Sequence, residues 1–208
     1  GKNVVRSYKV MRGSADVTGN YTFTDSVDGK LTILPRTVTL TSETASKEYD
    51  GMPLTRPDVS VTGDGFVSGE VTGITATGSV TYVSDGTVEN TITYTTGAAF
   101  REANYEITKI PGQLSITQSS NAIVITTASR SRVYNGQKLL DDKTTHTGTL
   151  AEGDRLVVEF PADAGLTDVG TKRNEYKSYR VERSDGADVT ANYTFGEPIY
   201  GTLEITAR

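Results

Sequence analysis

Asn192-Tyr193-Thr194-Phe195, leading to Gly201-Thr202-Leu203-Glu204-Ile205-Thr206, is the third writing of one phrase. Asn20-Tyr21-Thr22-Phe23 leads in the same way to Gly29-Lys30-Leu31-Thr32-Ile33, and Asn104-Tyr105-Glu106-Ile107 to Gly112-Gln113-Leu114-Ser115-Ile116-Thr117. The tyrosines stand 84 and then 88 residues apart. That period is the length of one small β domain and too long for a solenoid turn. The 208 residues therefore divide into residues 1–35, read as the C-terminal half of a preceding repeat, and two complete β repeats at 36–118 and 119–208. Leu31-Thr32-Ile33-Leu34-Pro35-Arg36 aligns with Leu203-Glu204-Ile205-Thr206-Ala207-Arg208, so the chain is expected to stop at a natural joint and to be cut at its front.

Working outward from the phrase, Thr37-Val38-Thr39-Leu40-Thr41 and Asn90-Thr91-Ile92-Thr93-Tyr94-Thr95 alternate as half-buried strands do. Ala122-Ile123-Val124-Ile125-Thr126-Thr127 opens the third segment as Thr37–Thr41 opens the second. Turn signals recur every eight to twelve residues, and only Leu139-Leu140-Asp141-Asp142-Lys143 suits a helical turn. The expected fold class is all-β: tandem small antiparallel β-sandwich domains, immunoglobulin-like or of a related small β fold, set end to end as a rod. The short joints Leu34-Pro35-Arg36 and Gln118-Ser119-Ser120-Asn121 favour the rod over a compact globule. The half-repeat is expected to pack on the second unit rather than to swap into a neighbour, since its strands lack their own partners.

Lys47-Glu48-Tyr49-Asp50-Gly51 returns 85 residues later as Arg132-Val133-Tyr134-Asn135-Gly136. Tyr49 with Gly51, and Tyr134 with Gly136, are therefore read as structural turns. Asn20, Asn104 and Asn192 are assigned to turns as well, because Asn tolerates a left-handed backbone. Asn20 and Asn192 also fit the glycosylation pattern Asn-x-Thr, and the turn reading is favoured over it. The tyrosine that follows each Asn is expected to pack at a sandwich corner and hydrogen-bond a backbone group.

Charge and composition exclude several function classes. A net charge of −5 argues against a phosphate-binding surface and so against nucleic acid. No run of eighteen apolar residues spans a membrane. With no cysteine and one histidine, His146, neither a thiolate centre nor a zinc centre held by two or three histidines can be assembled. The absence of cysteine leans toward a bacterial exterior or periplasm. A two-carboxylate glycosidase site needs an aromatic-rich cleft, and the chain has no Trp and 8% aromatic residues. Tyr8, Tyr176, Tyr179 and Tyr200 are the side chains left for stacking on a sugar. No catalytic and no cofactor-binding residue is predicted. Asp185 and Asp188 are the best Ca²⁺ candidates, without EF-hand spacing, and solvated loop carboxylates are the favoured reading.

The ordered series Tyr-(Asp/Asn)-Gly-x-x-Leu, a Gly-(Asp/Glu) pair, Asp-Val-Thr-x-Asn-Tyr-x-(Phe/Ile) and Gly-x-Leu-x-Ile-Thr resembles the MBG repeats of large bacterial adhesins, in their Tyr-Gly turn form. The resemblance covers both complete units and the leading half. Departures are Glu70 in place of Asp and Gly97–Glu102 in place of the Asp-Val-Thr approach to Asn104. The resemblance implies a noncatalytic, extracellular stalk or spacer on a bacterial cell surface, whose partners are neighbouring repeats. The alternative is a module that holds a host or matrix glycan or protein through loops of the third unit, where Asp141–His146 and Pro161–Leu166 have no counterpart in the second.

Overall fold

The computed structural model describes all 208 residues, and it is all-β. Its only helical elements are four three-residue 3-10 turns. Strand pairing falls into three groups, within residues 2–30, within 36–117 and within 119–206.

Each complete unit is built on two chain runs lying side by side and parallel. In the second unit, Arg36–Ser42 pairs with Tyr105–Ile110, and Ala45–Glu48 pairs with Gly112–Thr117, in one unbroken register. Both runs kink between their halves, at Glu43-Thr44 and at Pro111, and cross there from one sheet to the other. Val59–Gly63 and Thr87–Asn90 complete the two three-stranded sheets by antiparallel pairing. The third unit repeats the plan. Ser119–Thr127 and Arg130–Val133 pair in parallel with Tyr193–Phe195 and Thr202–Thr206. Thr144–Thr147 and Gly170–Arg173 add the antiparallel edges.

The purely antiparallel sheets expected from the alternation are thus replaced by small mixed and antiparallel ones. Alternation reports which face of a strand is buried and is blind to strand direction. Parallel opening and closing runs have a mechanical consequence, since a unit entered at one end is left at the other.

The sheets close over alternating apolar side chains. Val38, Leu40, Ile92 and Tyr105 are buried together in the second unit, with Phe66, Ile74, Tyr94 and Phe100 packed on them. Leu139, Leu203 and Ile205 form a small cluster in the third. Leu139 sits in an extended bridge opposite Leu166 and is buried, so the helical turn expected at Leu139–Lys143 does not form: burying Leu139 outweighs a local preference. The largest cluster crosses from one unit to the next. Tyr49, Leu54, Val80, Leu114 and Ile116 pack with Ile123, Ile125, Val181, Val189 and Tyr193.

Residues 1–34 behave otherwise. Lys2–Asn3 pairs with Gly29–Lys30 and Met11–Arg12 with Ala15–Asp16, and no strand pair or hydrogen bond ties them to the second unit. Tyr8, Tyr21, Phe23, Leu31 and Ile33 are exposed. The expected packing on the second unit is therefore not found. Leu31 and Ile33 lack the neighbouring parallel strand that covers Leu114 and Ile116, and no other surface replaces it.

Candidate functional site: the kinks and the joint

Two constructions recur in both complete units, and one of them joins the units. The first is at the kink. Asn90 is fully buried, its Nδ2 donating to the carbonyls of Glu43 (3.2 Å) and Arg56 (2.8 Å) and its Oδ1 accepting from the Gly78 amide (3.1 Å). The Ser42 hydroxyl donates to the Asn90 carbonyl (2.6 Å) and accepts from the Gly112 amide (2.9 Å). In the third unit Asn174 donates to the carbonyls of Ala128 (2.9 Å) and Asp141 (2.8 Å), and Thr127 links the Asn174 carbonyl to the Gly201 amide. A kinked strand leaves its carbonyls without ladder partners, and the buried amide supplies the missing donors. Glycine is required opposite. A Cβ on Gly112 would overlap the Glu43 carbonyl and lie 2.7 Å from the Thr44 nitrogen, and one on Gly201 would meet Ala128 and Ser129 in the same way.

None of Ser42, Asn90, Thr127 or Asn174 was singled out by the sequence reading. The signal was available, because Asn3, Asn90 and Asn174 recur in step with the phrase and face Gly29, Gly112 and Gly201.

The second construction is a tyrosine held by a carboxylate. Tyr105 donates to Glu70 Oε2 (2.6 Å) and accepts from the Val67 amide (3.0 Å). Tyr193 donates to Asp154 Oδ2 (2.7 Å) and accepts from the Ala151 amide (2.9 Å). Glu70 and Asp154 do the same work, so the departure at Glu70 leaves the bond intact. Tyr21 of the first segment has no such partner and is exposed.

At the joint, Asp154 takes a second phenol. Tyr49 reaches over from the second unit, 5% exposed, and donates to Asp154 Oδ2 (2.9 Å) while Arg183 Nη1 donates to its oxygen (3.0 Å). The other guanidinium nitrogen of Arg183 donates to the Gly51 carbonyl (2.8 Å). The Tyr49 ring meets Tyr193 edge-on at 5.4 Å and lies at a shallow angle to Tyr82 at 6.2 Å. Burial, then the bond to Asp154, pushes the hydroxyls of both Tyr49 and Tyr193 far above the ordinary phenol range.

Gly51 follows with a left-handed backbone (φ +81°), and a Cβ there would lie 3.0 Å from that of Ala151. Around this centre Asn192 Oδ1 accepts from the Val83 amide (2.8 Å), and Gln118 donates to the Ala191 carbonyl (2.9 Å). Glu48 accepts from the amide and then the hydroxyl of Ser120, which together hold its carboxyl below the usual range. Only Gln118 separates the last strand of one unit from the first strand of the next.

Of the residues assigned to turns, Tyr49 and Gly51 form the joint. Tyr134 and Gly136 make the equivalent turn at the far end of the third unit, where Tyr134 is 39% exposed. Asn20, Asn104 and Asn192 each close a 3-10 turn, and the left-handed backbone expected of them is absent, every positive φ being a glycine's. A 3-10 turn feeding straight into a strand keeps φ negative, so it makes no use of asparagine's left-handed tolerance. Asn192 is buried and hydrogen-bonded to both units, which removes it as a glycan acceptor.

Asp185 and Asp188 cap their own turns. Asp185 accepts from the Ala187 amide, and Asp188 accepts from the hydroxyl and amide of Thr190, which lower its pKa in that order. No cluster of three His, Cys, Asp or Glu side chains stands anywhere in the molecule.

Each complete unit also carries an aromatic cluster. In the second, Phe66 packs on Tyr94 and Tyr105, Phe100 on Tyr105, and Lys109 lies over the Tyr94 ring. The cluster of the third is placed differently. Tyr176 packs on Tyr179 (5.7 Å) and Tyr200 (5.4 Å), Tyr179 on Phe195 (4.5 Å), and Arg173 lies over the Tyr200 ring (4.3 Å). Burial, then the neighbouring Tyr200 hydroxyl, raises the Tyr176 hydroxyl to about 12. Beside it a cavity of 220 Å³ is lined by Asp163, Lys172, Arg173 and Glu175 among others.

Compared with protein families, with curated proteins and with solved structures, the chain matches none of them. No helix is long and apolar enough to cross a membrane.

Proposed function

We propose that this chain is a noncatalytic spacer segment of a bacterial cell-surface adhesin, working outside the cell as a stiff rod of end-to-end units. The joint is the observation that carries the reading. A flexible connection between domains has a polar linker and a small contact, whereas here a single residue separates the strands, ten buried side chains from both units form one cluster, and Tyr49, Arg183, Asp154 and Asn192 bond across it. Stiffness comes from burying apolar surface at the joint, and the parallel runs carry tension along the unit.

Small-angle scattering of the chain tests this, with and without excess Ca²⁺. A maximum dimension of two units laid end to end, unchanged by Ca²⁺ and shortened on average by Asp154→Ala with Arg183→Ala, is the expected result. A compact particle would refute the spacer.

A second reading, a module that binds a host or matrix glycan, is favoured by one observation: the Tyr176, Tyr179, Phe195 and Tyr200 cluster adjoins a cavity lined by charged residues suited to sugar hydroxyls. Retention on a glycan array that is lost with Tyr179→Ala would establish it, and no retention on any glycan would remove it.

A further inference from the structure

The two buried kink amides differ at one atom. Asn90 Oδ1 accepts from the Gly78 amide (3.1 Å), whereas Asn174 Oδ1 accepts from no group in the molecule, its Nδ2 being spent on the carbonyls of Ala128 and Asp141. The cause lies in a pair of equivalent positions. Leu54 pairs with Val80 and Leu139 with Leu166, so the place two residues before each partner, held by Gly78 in the second unit, is held by Ala164 in the third. Gly78 comes in close because it has no side chain: a Cβ there would lie 2.7 Å from the Asn90 α-carbon and 2.8 Å from its Oδ1. Ala164 carries that Cβ, stands back, and gives its amide to the Pro161 carbonyl instead (2.9 Å).

The 220 Å³ cavity opens at this gap, lined by Ala164 and Asn174 together. Asn174 is 2% exposed, and its Oδ1 is not one of the sealed-in polar atoms without a partner, which are Arg132 Nε and Asp154 Oδ1 alone, so the oxygen faces the cavity. A buried amide oxygen without a donor costs free energy until one reaches it. The space is many times that of a water and smaller than the roughly 300 Å³ at which drug-sized sites begin, which suits one small ring. Its charges balance, Lys172 and Arg173 against Asp163 and Glu175. An anion would meet the two carboxylates and a metal ion the two cations, while a neutral molecule with several hydroxyls incurs neither penalty and can both give and take hydrogen bonds. The cations are already held in place: Lys172 Nζ donates to the Gly165 carbonyl (3.2 Å), and Arg173 is fixed by Glu175 (3.4 Å) and the Tyr200 ring. The site stands at the kink between the two halves of its unit. At the corresponding kink of the second unit every hydrogen bond comes from within that unit, so the place is not one that a neighbouring unit covers.

We propose that the third unit binds a single neutral sugar ring in this cavity, one hydroxyl donating to Asn174 Oδ1 and the others bonded by Asp163, Glu175 and Lys172. The choice of ligand rests on the glycan reading and deepens it by naming the atom that receives the sugar. The spacer reading stands with or without it, since the cavity is remote from the bonds that cross the joint.

Nuclear magnetic resonance of the nitrogen-15-labelled chain tests it, with glucose, galactose, mannose and N-acetylglucosamine each titrated to about 100 mM. With at least one of these sugars, the side-chain amide pair of Asn174 and the backbone amide of Ala164 are expected to shift and saturate. The amide pair of Asn90, whose oxygen is already bonded, is the internal control and should stay in place. Glu175→Ala, an exposed change that does not endanger folding, should weaken binding by about tenfold. Ala164→Leu, confirmed folded by its melting curve, fills the cavity and should abolish the shifts. No shift at Asn174 with any of the four sugars overturns the proposal, and so do equal shifts at Asn174 and Asn90 or binding that Glu175→Ala leaves unchanged. Shifts confined to Tyr176, Tyr179 and Tyr200 that survive Ala164→Leu would overturn the pocket and leave the glycan reading standing, so the two failures are distinguishable.

Discussion

Residues 1–34 and the closing halves of the two complete units carry the same phrase and end in different states. Locally they agree. Asn3 faces Gly29 as Asn90 faces Gly112, and Asp16 accepts from the amide and hydroxyl of Thr18 as Asp188 does from Thr190. Thr18 in turn accepts from the Val10 amide as Thr190 does from that of Val181, and a 3-10 turn follows each. Beyond that they diverge: Tyr105 and Tyr193 are buried with a carboxylate each, while Tyr21 is 52% exposed with none. The phrase writes turns and strand pairs, and a core forms only where an opening run lies beside it. An isolated strand pair buries too little apolar surface to offset the ordering of its chain.

The sharpest way to break this comparison is at the kink glycine. Gly112→Ala or Gly201→Ala forces a methyl into a backbone carbonyl, and each should destabilise its unit by about 3 kcal/mol or more, read as a lowered denaturant midpoint. Gly29→Ala, whose Cβ would lie 3.4 Å from that of Asn3 as its nearest neighbour, should leave the midpoint unchanged.

Next come the buried amides. Asn90→Ala orphans the Glu43 and Arg56 carbonyls and the Gly78 amide and should cost about 3 kcal/mol. Asn174→Ala, with two such bonds, should cost about 2 kcal/mol, and the exposed Asn3→Ala less than about 0.5.

Smaller again is the difference between the two carboxylates. Asp154→Ala removes the acceptor of two phenols and Glu70→Ala that of one, so chemical denaturation should show losses of about 2 and about 1 kcal/mol. Only Asp154→Ala should also raise hydrogen exchange across the joint.

The gentlest probe is alkaline pH. Tyr49 and Tyr193 have folded-state pKa values above the ordinary value near 10, so their contribution is fully present below that pH. Above it the unfolded chain releases protons that the folded chain keeps, and stability falls as pH rises. The melting temperature should therefore drop from about pH 10 upward, and a Tyr49→Phe, Tyr193→Phe double variant should drop less steeply. A decline of equal slope in that variant would separate the two phenols from the joint's stability.

Much of the molecule could be read before its structure. The repeat boundaries were drawn from the phrase, and the strand cores from alternation at Val38 and Leu40 or Ile123 and Ile125, all buried. Turn glycines were marked by their Asp or Asn neighbours. The candidate site is half visible in the sequence: Tyr49 and Gly51 read as a turn and Asp154 falls in the Gly-(Asp/Glu) pair, whereas the partners that Asn90, Asn174, Arg183 and Asp154 reach are not written there. Each of these acts on a partner far away in sequence, Arg183 on Tyr49 and Asn90 on Glu43, and periodicity records only near neighbours.

The sequence by itself determined the elements that a few adjacent residues can specify: strands from alternation, and turns from Asp-Gly and Asn-Gly. Strand direction, the kinked parallel runs, the burial of one turn tyrosine and the exposure of its twin were decided by tertiary structure alone. Those outcomes depend on which surface lies opposite, and identical residues have different free energies with that surface present and without it.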